Sequence, residues 1–135
     1  MPMPVPMSTP LTTLLHAPRW RPLWRALLLL MMLVVGWLAF TPTPPALPFD
    51  QADKIEHALA FAALAAAAAL AGRGGQRGTW IAAASMLAFG GFIELVQTQI
   101  PGRTGDWFDL AADACGIAIG LAAIGIARRR FSARI

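Results

Sequence analysis

With 135 residues, the chain has room for one domain. Hydrophobic residues make up 57% of it and charged residues 13%, against about 45–50% and about 25% in soluble domains, which points to a membrane protein. The net charge of +4 does not imply a nucleic-acid partner, because the arginines flank apolar runs and form no basic patch interleaved with aromatics.

Residues 1–22 contain prolines at 2, 4, 6, 10, 18 and 22. No helix should run far through them, and a disordered cytoplasmic tail is expected, with His16 inside it. Arg19, Arg21 and Arg25 then precede the apolar run 26–40, a pattern shared with signal peptides. No small-x-small cleavage site follows Leu38, so an uncleaved anchor is expected, with Arg25 snorkelling to the interface. The proline-rich stretch 41–48 cannot continue the helix, and Asp50 or Asp53 is placed to cap the next one. The Ala- and Leu-rich run 58–71 suits close helix packing in lipid. A basic turn at 72–78 leads to a third run at 80–93, with Trp80 as an interfacial anchor. A fourth run covers 114–127, and Arg128, Arg129 and Arg130 should stop it. The lone Cys115 has no internal disulfide partner and is read as a small packing residue.

The last three runs are shorter than the ~20 residues a span needs. Each can be lengthened by a turn whose polar residues sit at one end only, whereas a soluble bundle helix would carry a polar face along its length. The expected fold is all-α: four transmembrane helices in a bundle, at about 23–41, 54–72, 79–98 and 106–127, with a basic tail at 128–135. Orientation follows from Lys and Arg. With a cytoplasmic N-terminus, nine arginines (19, 21, 25, 73, 77, 128, 129, 130 and 134) fall inside, and only Lys54 and Arg103 outside. Both termini are then cytoplasmic, in a bacterial inner membrane. Every acid lies at or just inside the outer face, and so does His57.

That placement gathers separate patches into one candidate site. Asp53 and His57 are spaced i, i+4. Gly90, Glu94 and Gln97 share one side of the third span. Asp106, Asp109, Asp113, Gly116 and Gly120 fall within about 80° of one another on the fourth. Glu94 and Asp113 are the hardest to explain as plain interface charges, since an ionisable group in a membrane is costly unless paired or hydrated. Lys54 and Glu56 are more readily interface charges. Arg103 is the natural counter-ion, so the same residues can be read as a charge network that locks the loop between the third and fourth spans. Alternatively they bind a ligand. No cofactor is required, but carboxylates with His57 are compatible with a divalent metal. Arg103 and Lys54 could instead take a phosphate or carboxylate group. Catalysis stays open, with His57, Glu94 and Asp109 as acid–base candidates. Gly116-x-x-x-Gly120 fits small-residue helix packing.

At these residues the chain resembles the VanZ-like family of small bacterial membrane proteins. The match runs over about 50–125. It comprises Asp53-Lys54-x-x-His57-x-x-x-Phe61, Glu94-x-x-Gln97, Pro101-x-Arg103 and Asp109-x-x-x-Asp113-x-x-Gly116-x-x-x-Gly120, and the N-terminal tail lies outside it. Asp113 departs from the family pattern, which usually has Asn there. The resemblance implies a multi-span protein of the bacterial envelope, in a family whose founding member is associated with resistance to the glycopeptide teicoplanin. It supplies no reaction. The leading expectation is an envelope protein that binds a membrane lipid or lipid-linked cell-wall precursor from the outer side. Arg103 and Lys54 would contact the anionic group, and His57, Glu94, Gln97, Asp109 and Asp113 would shape the pocket. The alternatives are a hydrolase or transferase acting on a phosphate-containing lipid, and a purely structural charge network. The oligomeric state is not legible.

Overall fold

The structure, a computed structural model, describes residues 10–42 and 52–132. Asp50, one of the two expected caps, and most of the 41–48 linker lie outside these residues. All regular elements among the described residues are helical. A short α1 (Pro10–His16) and a 3-10 turn (Pro18–Trp20) lead into α2 (Arg21–Ala39). Then come α3 (Ala52–Ala71), α4 (Gly75–Gln97) and α5 (Trp107–Ser132). The helices α2 to α5 are each long and apolar enough to cross a membrane. The chain is thus a four-span helical protein, as its apolar runs predict.

Three boundaries differ from expectation, each for a local reason. Disorder was expected through residue 22, yet residues 10–16 and 18–22 are helical, with Ala17 extended between them. Pro10 opens α1, Pro18 opens the 3-10 turn and Pro22 stands in the first turn of α2, where proline's fixed φ and missing N–H cost nothing. The basic turn is shorter than 72–78, because α4 begins at Gly75 and includes Arg77. Nor do the three arginines end α5, which continues to Ser132. Arginine is a good helix former, and its charge suits a helix C-terminus.

Side-chain contacts define the two ends of the bundle. Arg25 of α2 donates to the carbonyl of Ala71 (3.3 Å), and Arg128 of α5 to that of Ala69 (2.9 Å). The start of α2 and the end of α5 therefore sit beside the end of α3. At the opposite end, Lys54 near the start of α3 meets Asp106 and Asp109 at the start of α5. One end gathers arginines and the other gathers acids. Arg128 also reaches the Leu15 carbonyl (3.4 Å), which ties α1 across the arginine end.

The core is built on α3: Phe61, Leu64 and Ala65 pack with Met86 and Ile93 of α4 and Ile117 of α5. The α3–α5 seam is the tightest in the molecule. A Cβ added at Gly116 or Gly120 would run into the backbone carbonyl of Ala58 or Ala62. The small-residue pattern on α5 thus meets the alanine-rich face of α3, as the packing reading required. By contrast, α2 is mostly peripheral, presenting Leu29, Leu30, Leu33 and Trp37 outward. Cys115 is exposed rather than packed.

Candidate functional site

The acid end places four polar side chains in the protein interior: Asp113 at 0% exposure, Glu94 at 4%, Gln97 at 5% and Asp109 at 6%. Helical spacing accounts for the convergence. Glu94 and Gln97 occupy the inward side of the last turn of α4, and Asp109 and Asp113 the inward side of the first two turns of α5. From α3, His57 points between them, its Nδ1 2.9 Å from Asp113 Oδ1. When Asp113 is ionised its carboxylate can only accept, and Nδ1 then carries the proton. Its Nε2 faces Asp109 Oδ2 at 3.9 Å and Asp53 Oδ1 at 4.0 Å, beyond hydrogen-bond length. Asp53, in the first turn of α3, opens the cluster outward.

Lys54 has a larger role than an interface charge. Its Nζ bridges Asp109 Oδ1 at 3.0 Å and Asp106 Oδ2 at 3.3 Å, tying α3 to the start of α5. Glu56 is exposed. Asp106 precedes α5 and caps it, accepting the Phe108 N–H at 2.8 Å on Oδ1. That hydrogen bond, with Lys54 beside it, holds the Asp106 carboxyl below its ordinary pKa against the opposing cost of burial. The Asp106 N–H in turn donates to Glu94 Oε2 at 2.7 Å, so the carboxylate of one span anchors the start of the next.

Arg103 does not join the cluster, which corrects the expected counter-ion role. Among the described residues it makes no ion pair. Its Nε donates to the Thr41 carbonyl and its Nη2 to that of Leu38, both at 2.9 Å. Gln97 likewise donates to the Ala39 carbonyl at 3.1 Å. The end of α2 leaves carbonyls without intrahelical partners, and these two side chains meet that demand. The turn that aims Arg103 closes through its N–H to the Ile100 carbonyl (3.1 Å), with Gly102 at φ 80°, the left-handed position that favours glycine. Gly105 was not singled out from the sequence, yet a Cβ there would lie 2.7 Å from the Glu94 carbonyl oxygen. Its place in a short Pro/Gly loop just before a helix was the available signal.

Two buried oxygens, Glu94 Oε1 and Asp113 Oδ2, have no hydrogen-bond partner among the described residues. Two overlapping sets could hold a cation: Asp53, His57 and Asp109, and His57, Glu94 and Asp113, with ligand atoms within 4.8 Å of one another in each. In the first set, Asp113 fixes His57 through Nδ1 and leaves Nε2 free, the arrangement by which a carboxylate orients a metal-binding histidine. An ion ~2.0–2.5 Å from each ligand would hold them about 3–4.5 Å apart, a range that includes the 3.9 and 4.0 Å separations here.

Four apolar spans around a buried carboxylate–histidine cluster define a multi-pass membrane protein with a polar site at one end of its bundle. A family model described as VanZ/LLP1 matches residues 7–128, and the chain belongs to that family. The match begins well before residue 50, so the family unit includes α1 and α2 as well as the segments that carry the motifs. No curated protein and no solved structure matches the chain.

Proposed function

We propose that this protein acts in the bacterial cytoplasmic membrane with both termini inside, and that its acidic end faces outward and captures a lipid-linked or cell-wall-related ligand through a divalent cation. The observation that carries this reading is the charge balance of the cluster. Asp53, Glu94, Asp106, Asp109 and Asp113 gather around one lysine and one histidine, while Arg103 is turned to backbone carbonyls. An anionic headgroup would be repelled there unless a cation came between. Asp53, His57 and Asp109 are the proposed ligands, with Asp113 holding the imidazole. A cation held there would supply the positive charge that an anionic phosphate needs, and the half-exposed Asp53 leaves the site open to it.

The test has two arms. In a glycopeptide-sensitive host, wild type, Glu94→Gln and Asp109→Asn are expressed at matched membrane levels, and growth is scored against teicoplanin and a lipid-cycle inhibitor. Protection by wild type that both variants lose is expected. Normal protection by both variants overturns the site. In parallel, purified wild type should bind Mn²⁺, read by electron paramagnetic resonance, and His57→Gln should lose most of that binding. If the variants fail to accumulate as folded protein, the charge-network reading is favoured instead.

A further inference from the structure

We propose that the opposite, arginine-rich end of the bundle carries a second site, which binds the phosphodiester headgroup of an anionic lipid. A cavity of about 200 Å³ opens there between α1, the start of α2, the α3–α4 turn and the end of α5. Arg21, Arg73 and Arg128 line it, and Leu14, Leu15 and Leu70 supply apolar wall.

No acid among the described residues compensates the charge in this cavity. Among the described residues the acids are Asp53, Glu56, Glu94, Asp106, Asp109 and Asp113, all in the other half of the bundle, and neither Arg21 nor Arg73 makes an ion pair. Arg128 gives Nε and Nη2 to the carbonyls of Leu15 and Ala69. Its Nη1 lies beside Gly74 at the cavity wall. Three like charges facing one space repel, and a phosphodiester between them would replace that repulsion with charge-assisted hydrogen bonds, which guanidinium groups make in pairs.

Size and position favour a lipid over free phosphate. At ~30 Å³ per water, the cavity has the room of about six or seven waters, enough for the phosphodiester and the glycerol carbons behind it. The leucine wall offers those carbons a surface that inorganic phosphate cannot use. The site also lies where α2 begins and α5 ends, at the membrane surface, where basic pockets between spans meet anionic headgroups.

The experiment uses purified full-length protein, delipidated in detergent and presented with phosphatidylglycerol and phosphatidylcholine of matched acyl chains, with bound lipid read by native mass spectrometry. Wild type should prefer phosphatidylglycerol by about tenfold. Arg21→Gln/Arg73→Gln should lose that preference while keeping its unfolding midpoint, since neither side chain makes a hydrogen bond or ion pair among the described residues. Arg128 is left intact because it caps α3. Equal binding of the two lipids by wild type, or an unchanged preference in the double variant, overturns the proposal. Displacement of the lipid by millimolar inorganic phosphate would also overturn it, by making this a free-phosphate site.

Discussion

Adding one methyl group to the α3–α5 seam should loosen both the bundle and the polar cluster. At Gly116 and Gly120 the obstacle is a backbone carbonyl, which cannot rotate aside as a side chain would. The helices must part by about 1 Å, and a gap of that order forfeits roughly a quarter to a half of the dispersion energy at each contact it opens. Alanine's better helix propensity returns about 1 kcal/mol. Set against an overpacking cost of about 2–3 kcal/mol, the upper part of the usual range because the obstacle is backbone, Gly116→Ala should be net destabilised by about 1–2 kcal/mol. Gly125, on the same helix, has nothing within 4 Å of an added Cβ, so Gly125→Ala should be neutral or slightly stabilising. A single separation relieves both clashes, so Gly116→Ala and Gly120→Ala together should cost less than their sum. The seam lies beside His57 and Asp113, so parting it also stretches their 2.9 Å contact. The assay is reversible unfolding in mixed micelles, followed by far-ultraviolet circular dichroism as the dodecyl sulfate fraction rises. If Gly116→Ala unfolds together with Gly125→Ala, or if the two costs simply add, the reasoning is refuted.

Other predictions concern single contacts. Gly90→Ala would place a carbon 2.5 Å from Asp113 Oδ2, whereas neighbouring Gly91 faces open space. Gly90→Ala should therefore lower the unfolding midpoint and Gly91→Ala should not, and equal midpoints would mean that Asp113 has room to move. Arg103→Gln should cost about 1–2 kcal/mol by uncapping α2, yet leave Mn²⁺ binding unchanged. Lost metal binding would return Arg103 to the site. The lowered pKa of Asp106 means that its stabilisation is complete above its ordinary value of 3.8 and is lost as pH falls through the folded value. Wild type should accordingly lose stability relative to Asp106→Asn as pH falls below 3.8, and parallel curves would show that the cap does not titrate with folding.

The spans were legible because each apolar run is bounded by charge or by proline, and the inward faces because helical angles can be counted. Counting placed Glu94 with Gln97, and Asp109 with Asp113, on the sides that prove buried. What could not be read was the demand made by the backbone. An inventory of side chains pairs Arg103 with carboxylates, but the chain turns it to the carbonyls of Leu38 and Thr41. Lys54 then becomes the cation of the cluster. Proline was misread in a related way. A count of prolines signals disorder, whereas Pro10, Pro18 and Pro22 each stand where a helix begins. The seam at Gly116 and Gly120 was visible as a pattern, but its partners, Ala58 and Ala62, lie in a run of alanines that offers no means of choosing among them.

The arginines that cap α3 also bear on how the protein is made. Arg25 precedes Ala71 by 46 residues, but Arg128 follows Ala69 by 59. While the chain is being synthesised, the last turn of α3 is inserted with one of its two guanidinium partners not yet translated. The same late arginine secures α1 through Leu15, so the first and third helices both wait on the final turns of the last span. A nascent chain that stops short of residue 128 would present bare carbonyls at two helix ends.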